Sequence, residues 1–449
     1  MNEASLSHIQ NKKTTFWWLI LSIASIAISG FFSIFLVFLR TPGLVSFFSK
    51  DIFKTALIIH VDLSITVWML TIHCLLNALI FSNWRKNYSI WSLVLAYLGV
   101  VLISLAALFG GEPVLSNYVP ILNNLVFILG ISIFLCGVLI SSLFAVAQFV
   151  CQLRSNKISF IEVTSFACSI IFILALSCFY FSYKQTAELG MNYDIGHYYE
   201  VVFWGFGHVV QFLYIQIMLF TWTMLVNDHF GKHYISLALY KRLALVNVVF
   251  CLICPIFYLF GTVDSGQYIE FFTTHMKRFG GVSSAILAVV ILFHYLKANI
   301  HNLDYKFYSF ICSIFVFGIG GAIGYMIHGA NVTVPAHYHG SIVGITIALM
   351  GLVYYIIAAL GYCYKRPGLL STQLIIYCFG QTLHITALSL SGGYGALRKT
   401  AGVDISSIAK LYMGLMGIGG LIAILSGIMF VINCYTSIKS GRIVNESKK

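Results

Sequence analysis

The chain has 449 residues, of which 59% are hydrophobic, 16% aromatic and only 9% charged, with a mean hydropathy of +0.92. A soluble domain carries about 25% charged residues, so a water-surrounded globule, or a string of them, is excluded. The formal net charge of +12 would suit nucleic acid or an anionic surface. The basic residues, however, punctuate apolar runs, so membrane lipid is the expected partner and no nucleic acid is.

Apolar runs of about 20 residues or more, long enough to cross a bilayer core, follow one another at 16–40, 54–82, 90–110, 121–149, 158–183, 197–227, 235–262, 272–296, 306–328, 336–364, 370–390 and 408–436. Short links with Gly, Asn, Pro and charges separate them. The expected fold class is all-α, a polytopic membrane helix bundle of about 12 transmembrane helices, with 1–449 forming a single integral membrane domain. The polar start Met1–Thr15 leads into a span too long for the core of a cleaved signal peptide. With both termini cytoplasmic, most of the 26 Lys and Arg, among them Lys12, Lys13, Arg85, Lys86, Lys365 and Arg366, lie on the inner side. That obeys the positive-inside rule, and a multi-pass protein of a bacterial inner (cytoplasmic) membrane is expected. Cys251 and Cys254 form a CxxC inside an apolar run beside Pro255; they read as core packing, not a zinc or redox pair.

In this topology the second, sixth, eighth and tenth spans run from outside to inside. His60, His208, His275, His337 and His339 then fall in the same outer third of the membrane. His328 and His384, at the outer ends of the ninth and eleventh spans, join that layer. Histidine inside a membrane is rare unless it has a function. One such residue is ordinarily satisfied by water or a carbonyl, whereas seven at one depth form the kind of layer from which a bundle builds a buried cofactor site. His337 and His339 project about 200° apart on a helix, so one helix can serve two cofactors.

Pro335-Ala336-His337-Tyr338-His339-Gly340, with Ala348-Leu349-Met350-Gly351, resembles the tenth helix of the heme-copper oxidase superfamily catalytic subunit (cytochrome c oxidase subunit I-like). Ile59-His60-Val61-Asp62-Leu63 with Trp68 is similar to that family's second helix. Phe203-Trp204-Gly205-Phe206-Gly207-His208 is similar to its W-x-x-G-H copper-ligand motif, and Gly395-Ala396-Leu397-Arg398-Lys399 falls where the family places a basic pair. The resemblance implies two hemes: a low-spin heme between His60 and His339, and a high-spin heme held from one side by His337. It implies a second metal, copper with iron as the alternative, held by His208, by His275 and by a third ligand. Glu270 is the nearest acidic candidate for that ligand, with Asp264 and His384 behind it. Arg398, Lys399 and His328 are the residues expected at the heme propionates.

Two departures matter. Thr274 stands where the family has the first of two adjacent histidines. Phe212 stands four residues after His208, where many oxygen-reducing members carry a redox-active tyrosine. Tyr258 is the expected replacement as a catalytic residue, and Ser283, Ser284 and Thr273 are hydroxyls open to proton input. The implied function is that of a respiratory terminal oxidase catalytic subunit reducing O2 to water, with nitric oxide reduction to N2O as the alternative on the same scaffold. A non-enzymatic heme or ion carrier ranks last, because the inner halves of the second and tenth spans are largely apolar. No CxxCH and no cupredoxin-like tail is present, so other oxidase subunits carrying the electron-entry site, and cytochrome c or quinol as donor, are expected partners.

Overall fold

The computed structural model describes residues 11–40, 50–81, 86–153, 158–190, 193–231, 233–298, 303–329, 331–398 and 406–441. Among them, 12 helices are long and apolar enough to cross a membrane: Lys12–Leu39, Ile52–Ile80, Ser89–Phe109, Leu125–Leu153, Phe160–Glu188, Ile195–Phe230, Leu237–Leu259, Gly266–Lys297, Tyr305–Tyr325, Thr333–Ala359, Gly368–Gly393 and Ser407–Lys439. They are numbered below as the first to twelfth spans, and each overlaps one apolar run of the sequence. Polar side chains set several of their starts. Asp194 Oδ1 accepts from the amides of Gly196 and His197 at 2.9 and 3.2 Å, and Ser159 with Glu162 forms a capping box. Such contacts satisfy amides that the first helical turn leaves without carbonyl partners.

Three spans are central. The most apolar stretches of the second, sixth and tenth spans are 89%, 94% and 83% buried, against 28–56% for the other nine. A helix that is apolar all round and buried all round is one surrounded by other helices. The peripheral spans turn side chains such as Trp91, Leu245, Val289 and Leu411 outward, as lipid-facing helices do. One hydrophobic core runs from Trp18 of the first span to Cys434 of the twelfth. Cys251 and Cys254 are buried in it and unbridged, which agrees with packing.

Local irregularities place the side chains of interest. The second span is α-helical over Lys50–Val61, widens into a π-helix over Asp62–Val67, and resumes over Trp68–Ile80. Ser64 donates to the His60 carbonyl at 2.6 Å and Ser29 of the first span donates to the same oxygen at 3.0 Å, so side chains compete for a backbone acceptor where the winding changes. The eighth span is two helices, Gly266–Phe279 and Val282–Lys297, meeting at Gly280 and Gly281. The link after the third span departs from the all-α expectation. Strands β1 (Glu112–Val114) and β2 (Ile121–Asn123) pair antiparallel, with Val114 opposite Ile121, and present the loop 115–120 between them. These are the only paired strands among the described residues.

The ninth and tenth spans cross at two glycines. A Cβ on Gly340 would lie 2.3 Å from Gly320 Cα, so only hydrogen at both positions permits this approach. Just outside it, Asn331 bridges to Leu397, and the Val332 amide donates to the Ala396 carbonyl at 3.0 Å. The segment before Arg398 is thereby pinned to the mouth of the tenth span.

Candidate functional site

A cavity of about 610 Å³ lies between the first, second, sixth, tenth, eleventh and twelfth spans, and His60, His337, His339 and His384 all line it. Each of the four has Nδ1 on a backbone carbonyl. His60 Nδ1 is 3.0 Å from Ser29 O, His337 Nδ1 2.8 Å from Gly320 O, His339 Nδ1 2.9 Å from Pro335 O and His384 Nδ1 3.0 Å from Met416 O. A carbonyl only accepts, so in the neutral ring Nδ1 carries the hydrogen and donates, and Nε2 keeps the lone pair. Metal-bound histidines are oriented in this way, the second nitrogen tied to a carbonyl so that the first points at the ion. The glycine crossing serves this arrangement, since it brings the Gly320 carbonyl to His337.

Around the imidazoles the wall is mostly apolar, with separate polar groups such as Ser64, Thr66, Thr346 and Gln381, and with Asn117, Tyr118, Gln211, Tyr338 and Arg398 also lining it. Arg398 donates through Nη1 to Asn117 Oδ1 at 3.2 Å, and the Asn117 amide donates to Glu200 Oε2 at 2.9 Å. These bonds fix the hairpin loop against the sixth and tenth spans. Lys399 lies outside the described residues. His328 is exposed, its carbonyl accepting from Asn331 Nδ2 at 3.2 Å; it does not line the cavity. Of the two described residues expected to meet propionates, the structure brings Arg398 to the wall and leaves His328 off it.

The expected second-metal residues are not brought together. His208 is buried, with Nδ1 2.8 Å from Trp204 O and Nε2 2.9 Å from the Tyr118 hydroxyl. His275 has Nε2 3.1 Å from Phe250 O and Nδ1 3.8 Å from Cys254 Sγ. It faces a separate shallow pocket that it shares with Glu270, Thr274 and Arg278. Among the described residues, no three His, Cys, Asp or Glu side chains are grouped to hold a metal ion. Asp264 and His384 do not change this; His384 stacks near His339, with ring centroids 4.9 Å apart.

Tyr258, the expected catalytic tyrosine, packs its hydroxyl against Gly205 of the sixth span. Its hydroxyl is 2.8 Å from Ser182 Oγ and 3.4 Å from the Tyr268 hydroxyl, and it does not line the cavity. Tyr268 in turn receives the Gly205 amide at 3.1 Å and donates to Val201 O at 3.0 Å, a side chain inserted into the ladder of the sixth span. The tyrosine that the cavity does contain is Tyr118, in a link where motif spacing carries no signal. Its ring packs on Gly207, where a Cβ would fall 2.0 Å from Tyr118 Cγ. Burial pushes the Tyr118 phenol well above its ordinary value, with Tyr338 and Glu200 adding to the shift, so it stays protonated.

The residues fit hemes and do not fit the second metal. Imidazoles with oriented Nε2 atoms, a largely apolar cavity and an arginine on its wall suit a heme, whereas the His208 lone pair already receives a hydroxyl and no three metal-ligating side chains are grouped among the described residues.

Comparison with known proteins agrees with the geometry of the bundle. Residues 13–422 match the family described as Cytochrome C and Quinol oxidase polypeptide I. An uncharacterized protein of Rickettsia prowazekii (strain Madrid E), RP382, is 34% identical, with 97% of each chain covered. An uncharacterized protein of Aquifex aeolicus (strain VF5) is 29% identical over 78% of this chain and 86% of its own. A solved structure of a heme-copper terminal oxidase dimer superposes with a TM-score of 0.80 at 17% identity, covering 96% of this chain and 84% of that one. The chain is an integral multi-pass membrane protein and belongs to the cytochrome c and quinol oxidase polypeptide I family.

Proposed function

We propose that the chain is the catalytic subunit of a respiratory terminal oxidase that reduces O2 to water. A low-spin heme would be held by His60 and His339, and a high-spin heme by His337. The observation that carries this reading is the shared cavity with its carbonyl-oriented imidazoles. Family members generally bind hemes, act with other subunits and donors, and carry out oxidoreductase chemistry in a membrane. When bound, a six-coordinate heme passes electrons and a five-coordinate one also offers an open position to a diatomic ligand.

The chain's own residues supply the remainder. Arg398 brings a permanent charge to the rim, where propionate carboxylates would otherwise be buried without a counterion. Tyr118 holds a proton at its hydroxyl beside the cavity, in place of the side chain that Phe212 does not provide. A buried chain of hydrogen bonds runs between the fifth, sixth, seventh and eighth spans. Thr164 meets Tyr240 at 2.5 Å, Tyr240 receives Gln216 at 2.9 Å, Gln216 receives Asn247 at 2.9 Å, and Ser283 donates to Asn247 at 2.6 Å. Of the hydroxyls singled out in the sequence, Ser283 thus belongs to a chain, while exposed Thr273 bonds only its own helix, at Ile269 O.

Cytochrome c or quinol would deliver electrons through partner subunits, in a bacterial inner membrane with both termini cytoplasmic. A second reading, reduction of NO to N2O, is favoured by Phe212, since joining two NO molecules needs two electrons and no tyrosine. Purified protein assayed with each gas separates them: consumption of O2 to water faster than consumption of NO upholds the oxidase, and the reverse ranking replaces it with the reductase.

A further inference from the structure

His208 cannot accept a metal and keep its present partners. Trp204 O is an acceptor, so His208 Nδ1 must donate to it, and the ring's single lone pair is on Nε2. That lone pair receives the Tyr118 hydroxyl at 2.9 Å. The rings are close as well, with centroids 4.6 Å apart, and Trp204 closes the third side at 4.8 Å from His208. Tyr118 is not loosely placed. The hairpin presents it, Asn117 ties its neighbour to Glu200 and Arg398, and Gly207 makes room for its ring. His275 Nε2 lies 3.1 Å from Phe250 O, and Cys254 Sγ stands almost equally far from both of its ring nitrogens, 3.8 Å from Nδ1 and 3.9 Å from Nε2.

We infer that in this chain the Tyr118 hydroxyl takes the place of the second metal at His208, so that the subunit holds hemes but no resident copper or non-heme iron. The inference deepens the proposed heme site and rests on it only for what lines the cavity. A copper or iron ion would need Nε2 of His208, the atom that Tyr118 occupies, and two further ligands, and among the described residues no three His, Cys, Asp or Glu side chains are grouped to supply them. His208 becomes a hydrogen-bond acceptor that orients Tyr118, and the pair presents the cavity with an O–H group in place of a cation.

The test is metal analysis of the purified holoprotein, grown with copper and iron supplied, with heme counted separately. The expected result is iron equal to heme and copper below a tenth of an atom per chain. One copper per chain, or one iron beyond the heme count, overturns the inference. Loss of a labile ion during purification is covered by adding Cu(I) to the purified protein and to its His208→Ala variant. No uptake, or uptake that the variant shares, supports the inference; one equivalent bound by the native protein and lost in the variant overturns it. A protein without heme would defeat the proposed function instead, and the copper readout would still stand.

Discussion

At the scale of single residues, the assignments divide by how much chemistry a motif carries. His60, His208, His337 and His339 were legible as candidates because imidazoles at one depth on separate spans have few reasons to be there. The structure brings His60, His337 and His339 to one cavity, while His208 does not line it. The ring orientations were not legible, since the carbonyls of Ser29, Gly320 and Pro335 that set them come from packing or local winding. The partners of Tyr258 were not legible, because helical position says which tyrosine is near and not which groups claim its hydroxyl; Ser182 and Tyr268 do. Tyr118 was missed because it sits in a hairpin link, held by long-range bonds. Replacing His60 or His339 with Ala should abolish the low-spin heme spectrum, and a normal spectrum in His60→Ala would remove the assignment. Tyr258→Phe should keep both hemes and O2 turnover while costing about 1 kcal/mol of stability through its lost hydroxyl contacts. A large loss of turnover in that variant, with hemes intact, would return Tyr258 to the reaction.

At the scale of elements, the helices follow from apolar length, but their contacts depend on residues that composition does not single out. Gly320 and Gly340 decide how closely the ninth and tenth spans approach. Gly340→Ala should cost about 1–3 kcal/mol, as overpacking does, and should perturb the heme on His337 more than the one on His60. Equal heme spectra in variant and native protein would show that the crossing does not position His337. The N-terminal end of the ninth span is held by Asp304, whose Oδ1 accepts from the amides of Lys306 and Phe307 at 3.1 and 3.2 Å and from His229 Nδ1 at 3.0 Å. Burial alone would raise its pKa, but His229, Lys306 and the Phe307 amide together hold it below the usual carboxylate value. Because the folded value is depressed, the contribution is complete above the unfolded carboxylate pKa and is lost as pH falls through the folded one. Asp304→Ala should cost about 0.5–2 kcal/mol near neutral pH, with the difference from the native protein shrinking under acid in thermal unfolding. A pH-independent difference would mean that the cap acts through shape and not charge.

At the scale of the whole molecule, the order of spans and their punctuation were readable because a bilayer admits few architectures. The burial of the second, sixth and tenth spans inside the other nine matches the three helices that carry His60, His208 and the His337–His339 pair. What was not readable was assembly between distant segments: that the eighth span would turn His275 toward Phe250 and Cys254 depends on the break at Gly280–Gly281 and on aromatic packing around Phe212 and Phe279. The proposed function rests on two unlike hemes in one cavity, one that would be held by His60 and His339 and one that would be held by His337. Carbon monoxide titration of the reduced purified protein tests this most directly. One CO per chain should bind, leaving the low-spin spectrum unchanged and disappearing in His337→Ala; CO bound to both hemes, or to neither, would contradict it.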